Sequence, residues 1–302
     1  MSRPARLLRR PLPATAFRAV LAGTLLVLSS ACSTPGHSDA APSGVPAGAV
    51  AADPAAPVSY GIPQDVTAMV LPATGKDTRL TQGLEGFTSL VRSQALRDCL
   101  ATAHAPVPDM PPPMFIRLFE IPDVEALARN GFQGGIVPGP ALPPASSAQA
   151  DDAVVQRCSQ QGDAAAAQLR SVYGPLLSSW LLQLAPLEQD ASVVSARTSF
   201  TACLADKGVQ AKDENGFFDG VDRKLRTIDG RDAVKAEDRR LGAVYAACIN
   251  PVEAAREPLR AHLRERFAAE HQAELDKVRG LPGLLTEMEK RYTIRFSVPT
   301  TA

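Results

Sequence analysis

The densest run of side chains able to hold an ion is "DENGFFDGVD", Asp213–Asp222, which brings together Asp213, Glu214, Asn215, Asp219 and Asp222. Oxygen ligands at this density suit Ca²⁺. A calcium loop of the EF-hand type needs Gly at its sixth position and a bidentate Glu at its twelfth, and those positions hold Phe218 and Lys224. The stretch therefore reads as a solvated turn, with Asp213, Asn215, Asp219 and Asp222 kept as candidate ligand or ion contacts. Asp213, Asp219 and Asp222 would also serve an acid/base enzyme if two of them faced each other across a cleft.

Other chemical sets are incomplete. The four histidines are His37, His104, His262 and His271, and the chain has no His-Glu-x-x-His or Cys-x-x-Cys. His262 and His271 lie nine apart, which puts them on opposite faces of a helix. "GFQGGIVPGP" is glycine-rich but lacks the Gly-Lys-Ser/Thr that cradles phosphate. No serine sits in Gly-x-Ser-x-Gly. No catalytic residue, metal or cofactor is expected from these patterns.

The five cysteines, Cys32, Cys99, Cys158, Cys203 and Cys248, carry the strongest chemical signal. An odd count in an exported protein leaves one thiol to account for. Cys32 follows an export signal (residues 1–31): a basic segment with Arg3, Arg6, Arg9, Arg10 and Arg18, an apolar run Ala19–Leu28, and the small residues Ser29-Ser30-Ala31. The apolar run is too short to span a bilayer. "LVLSSAC" resembles the lipobox of bacterial lipoproteins, which implies acylation of the Cys32 thiol and cleavage before it. It departs at Ser29, where that family carries an aliphatic residue. Ordinary signal cleavage after Ala31 satisfies the same small-residue rule and stays open. Lipidation of Cys32 leaves four cysteines for two disulfides in an oxidising compartment. Four allow three pairings; the sequential one, Cys99–Cys158 and Cys203–Cys248, is the expected one, because it matches a twofold pattern. Each pair opens on Cys-Leu-Ala and encloses Asn-Gly-Phe, at Asn130–Phe132 and Asn215–Phe217.

The whole chain carries 32 basic and 32 acidic residues. Loss of the five arginines of the export segment leaves 27 against 32, which argues against nucleic acid as a partner. Residues 33–57 are Ala, Pro, Gly and Ser with few large apolar side chains, so a lipidated Cys32 and a disordered tether are expected over 32–59. Such a coil reaches roughly 25–30 Å. The extracytoplasmic domain, 60–302, follows.

Its elements read mainly as helix. Leu80, Leu84, Phe87, Val91, Ala95 and Cys99 recur at helical spacing. Asp123–Asn130 is a short helix capped by Asp123 and closed by Gly131. Helix is expected over 148–184 with a break at Gly174-Pro175, over 190–207, over 233–249, and from Pro251 to Arg279 with a kink at Pro258. Gly280, Pro282 and Gly283 stop it. "KDENGFFDGVD" reads as loop. "YTIRFSV" alternates as a strand, with Val66–Leu71 or Met114–Ile121 as its expected partner. The fold class is thus mainly α: two disulfide-stapled helical halves, about 78–188 and 189–280, a long C-terminal helix and at most a small β element.

"CLATAHAPVPDMPPP", "DVEALARNGFQGGI", "TACLADKGV" and "EDRRLGAVYAAC" make residues 84–275 similar to a four-cysteine group of secreted proteins and lipoproteins of high-GC Gram-positive bacteria. The chain departs from it at "NGFQGG", where the group carries Tyr-Gly-Tyr-Gly. The resemblance implies export and the cysteine framework and brings no activity with it. Together these readings predict a lipid-anchored protein on the extracytoplasmic face of the cell membrane. It is expected to be a non-catalytic module that meets an envelope protein or cell-wall component. An extracytoplasmic enzyme, or a small-ligand binder with an apolar pocket between the halves, is the alternative.

Overall fold

The computed structural model describes residues 57–132, 135–141 and 150–301. The expected export signal, Cys32, His37 and residues 33–56 of the expected tether lie outside them. Helices form nearly all the framework, and two long antiparallel ones begin it. Helix α2 (Gly75–Thr102) starts on a capping box in which Thr74 and Asp77 satisfy each other's backbone N–H groups. Helix α4 (Asp152–Leu182) lies along it. The two approach so closely at Gly162 that a Cβ there would stand 2.7 Å from the Arg92 carbonyl. The Cys99–Cys158 disulfide joins them, with Cα atoms 5.4 Å apart.

Helix α4 runs unbroken through Gly174-Pro175, where a break was expected. Helix α8 (Arg231–Glu270) likewise takes in both Pro251 and Pro258, so the boundary expected between two helices at 249–251 is absent and the interruption falls instead at His271. Proline removes a donor and crowds the carbonyl four residues back. Pro175, Pro251 and Pro258 are all solvent-exposed, and so are Ser171, Ala247 and Ala254, four residues before each. Water can satisfy the freed carbonyls while the opposite face stays packed.

Two apolar cores result. The first gathers α1 (Val66–Val70), α2, α4, the end of α8, α9 (Gln272–Val278) and α10 (Leu281–Tyr292) around Phe87, Trp180 and Phe267. Trp180 is fully buried, and its indole N–H donates to the Pro72 carbonyl at 2.8 Å. The second gathers α3 (Val124–Asn130), α5 (Ala191–Arg197), α6 (Phe200–Asp206), α7 (Glu214–Arg226) and the first part of α8 around Phe200, Phe217 and Tyr245. The Cys203–Cys248 disulfide ties α6 to α8, again with a short Cα separation of 5.5 Å. Helix α3, from inside the first cysteine pair, belongs to the second core. Helix α8 spans both.

The preceding helix ends at Val278, close to the expected stop, but a further helix, α10, begins at once at Leu281. Pro282 lies in its first turn, where the missing N–H costs nothing. Leu281, Leu285, Met288 and Tyr292 line its buried face. The β element is smaller than the alternation suggested: β2 (Ser297–Pro299) pairs antiparallel with β1 (Val58–Tyr60), Ser59 opposite Val298. Neither expected partner forms it. Val66–Val70 is helix because the Asp65 side chain caps the Ala68 N–H, and Met114 makes only an isolated bridge to Ile136.

Between the cores, α8 carries a band of buried charge. Glu253 accepts from Arg256 Nη1 at 2.7 Å and from Arg260 Nη2 at 2.6 Å. Arg256 also reaches Glu188 at 2.8 Å, and Glu188 in turn binds Arg197. Arg260 donates through Nε to the Ala73 carbonyl at 2.8 Å, linking α8 to the segment before α2.

Candidate functional site

A cavity of about 710 Å³ opens where the two cores meet. Helix α2 supplies Thr78, Arg79 and Gln82; the irregular segment 111–122 supplies Met114, Arg117, Leu118 and Phe119; α3 supplies Ala126 and Leu127; α8 supplies Lys235, Asp238 and Arg239. Pro57 and Thr300 close one edge, held by the Thr300 N–H to Pro57 carbonyl bond of 2.8 Å.

Glycines seat the α3 wall. Gly131 ends that helix at φ +77°, in the region that favours glycine, and a Cβ there would lie 2.3 Å from Asp238 Oδ2. Across from it, a Cβ on Gly242 of α8 would meet the Gly131 Cα and the Leu127 carbonyl, each at 2.6 Å. The backbones of α3 and α8 touch because neither position carries a side chain.

Four basic side chains line the cavity (Arg79, Arg117, Lys235, Arg239) against two carboxylates (Asp123, Asp238). Arg79 is committed: it forks onto Asp123, with Nη2 at 3.1 Å from Oδ1, and reaches Glu125 at 2.9 Å. The Asp123 carboxylate holds its guanidinium above the ordinary arginine range. Asp123 is committed too, since Oδ1 also accepts from the Ala126 N–H at 3.1 Å as the cap of α3. Asp238, only 2 % exposed, accepts from the Phe132 backbone N–H; burial pushes its carboxyl up, and Arg117 and that bond oppose the shift.

Arg117 differs from the other three bases. Burial pushes its guanidinium down to about 10, with Asp238 pulling the other way through space, so it stays charged at neutral pH. It lies over the Phe132 ring, 5.2 Å from the centroid. Its Nη2 is buried and has no hydrogen-bond partner among the described residues. Beyond Phe132 the aromatic cluster continues through Phe217 and Tyr245, and Phe218 packs against Phe119 of the cavity wall with centroids 4.6 Å apart and the rings tilted at 58°.

The acidic stretch is a helix, α7, where a loop was expected. Asp213 caps it by accepting from the Gly216 N–H at 2.7 Å, Arg223, Lys224 and Arg226 complement its C-terminal end, and Phe217 and Val221 bury one face. Asn215, Asp219 and Asp222, at spacings of four and three, are exposed along the other face. They do not reach the cavity. Among the described residues no three His, Cys, Asp or Glu side chains converge in a way that could hold a metal ion. His104 and His262 are exposed, and His271 stacks on Phe267 at 4.0 Å.

Arg117 was not among the sequence-derived candidates. Its signal was a lone base inside the apolar run "MFIRLFEI", a segment ambiguous between strand and helix. A charge in such a run must find a partner or a solvated outlet. Comparison of the chain with protein families, curated proteins and solved structures returns no match.

Proposed function

We propose that the protein is a lipid-anchored, extracytoplasmic binding module whose ligand occupies the cavity between the two cores. The cavity carries this reading: it has the size and the mixture of apolar wall and few convergent polar groups that small-molecule sites have. Its two carboxylates are engaged in holding α3 and Phe132 in place, which favours binding over acid/base catalysis. The two disulfides suit an oxidising compartment, and the cysteine remaining, Cys32, follows the lipobox-like stretch. An envelope protein or cell-wall component is the class of partner that such a position offers.

The neutral apolar dye Nile red tests the cavity. It is expected to bind the wild-type protein with a rise in fluorescence, and Ala126→Trp, which fills the space beside α3, is expected to abolish that rise at unchanged helix content. Equal dye binding by the two proteins would refute the cavity as the site. The anchor is tested separately by fractionation. Cys32→Ala should shift the protein from the membrane pellet to the soluble fraction or leave the precursor uncleaved; a processed variant still in the pellet would refute lipidation.

A further inference from the structure

Resting on the cavity reading, we propose that the ligand is a monoanionic amphiphile, its acidic head held by the Arg117 guanidinium and its apolar body laid along Met114, Leu118 and Phe119. Three observations converge on this chemistry. The buried Nη2 of Arg117 lacks an acceptor among the described residues. A buried charged donor left without one is costly, and a carboxylate oxygen supplies the strongest neutralising bond. Phe132 covers one face of the guanidinium, so the remaining donors lie along its edge, where a planar head group is met.

The second observation is the sign of the lining. Basic groups outnumber carboxylates in the cavity although acidic residues outnumber basic ones once the export segment is removed. Arg239 is exposed on the α8 side of the mouth, where it adds to the attraction felt by an approaching anion. The third is the apolar wall. Met114 and Phe119 are 53 % and 46 % exposed, a large apolar surface for side chains that a segment of this length had the option of turning inward. An apolar ligand body would cover them. A purely polar anion leaves this wall wet, and a neutral apolar molecule leaves Arg117 unsatisfied. Only a molecule with both parts satisfies both.

The test uses the mature chain with Cys32→Ala, so that no detergent competes. Calorimetry compares decanoate, decanol and acetate, which share a tail or a head in turn. Decanoate is expected to bind at least about tenfold more tightly than decanol, as befits a charge-assisted hydrogen bond, and acetate should not bind detectably. Arg117→Gln should bring decanoate down to the decanol level and leave decanol unchanged, whereas Ala126→Trp should remove both. Equal affinity for decanoate and decanol in the wild-type protein overturns the proposal without touching the cavity reading, as long as Nile red still binds and Ala126→Trp still blocks it. An undiminished decanoate preference in Arg117→Gln overturns it as well. Loss of Nile red and decanoate binding alike overturns both. A dissolved and a membrane-derived ligand present the same head and tail; uptake of oleate from phosphatidylcholine vesicles supports the membrane source, and binding of decanoate without such uptake supports the dissolved one.

Discussion

Glu253→Ala is expected to destabilise the protein by about 3–5 kcal/mol, the cost of removing one partner from a buried ion pair. Glu253 is 4 % exposed, and both of its oxygens are occupied, one by Arg256 and one by Arg260. Truncation removes one acidic group and leaves two guanidinium groups buried without it. Arg256 keeps Glu188, and Arg260, only 1 % exposed, keeps the Ala73 carbonyl. The damage should therefore fall more heavily on Arg260, which has no second carboxylate within bonding distance among the described residues. Because that arginine links α8 to the segment preceding α2, the first core should loosen. Trp180, the single tryptophan, sits in that core and reports on it by fluorescence. The measurement is urea unfolding followed by Trp180 fluorescence and by circular dichroism in parallel, with the midpoint falling at unchanged slope. Buried pairs are weakly screened, so the loss should persist in high salt. A change below about 1 kcal/mol, the range of exposed pairs, would show that the band of charge is solvated and does not join the cores.

The parts of this fold that follow from local rules were legible in the sequence. Asp123 and Gly131 bracket α3 as cap and terminator, and the heptad-like spacing from Leu80 to Cys99 is the buried stripe of α2. The cysteine pairing was legible because the pairs repeat an order along the chain, although the repeat is not one of backbone. Asn130 ends α3 with Gly131 at positive φ, whereas Asn215 lies in the first turn of α7. What the shared tripeptides have in common is an aromatic ring: Phe132 and Phe217 meet in the second core with centroids 5.9 Å apart.

Where the reading failed, a local punctuation rule met a tertiary context that outweighed it. Proline suggests a break at Pro175, a helix start at Pro251 and a kink at Pro258, but each is on the solvent face of a helix that runs through it and whose other face is packed. The helix expected to stop at Gly280 does end before it, but Pro282 also starts α10, and the spacing Leu281, Leu285, Met288 held that missing information. The acidic stretch of α7 resembled a loop because its charges hid the Phe217–Val221 stripe. The cavity was out of reach for a different reason. Arg117, Ala126 and Asp238 come from segments that carry no shared period, and the contact of α3 with α8 depends on Gly131 and Gly242, more than a hundred residues apart. No pattern within one segment encodes that meeting.

The two disulfides should behave differently when removed, although the chain-entropy model gives each roughly 4 kcal/mol for the loop it closes. Their sequence separations are similar, 59 and 45 residues. What differs is the packing around them. Cys99–Cys158 joins two long helices that already lie against each other, with Leu96 and Leu100 buried beside the bridge. Its loss through Cys99→Ala with Cys158→Ala should act mainly on the unfolded chain, lowering global stability while the native amide-exchange pattern survives. Cys203–Cys248 anchors α6, a single short helix, to the middle of α8, with Cys203 itself partly exposed. A short helix is not stable by its own hydrogen bonds. Cys203→Ala with Cys248→Ala should therefore release α5, α6 and the loop before α7 locally, below the global unfolding free energy. Hydrogen exchange by mass spectrometry separates the cases: protection over residues 191–212 should collapse in the second double variant and hold in the first. Equal protection there in both variants would mean that Phe200 and Leu204, buried against α8, hold the segment without the bridge.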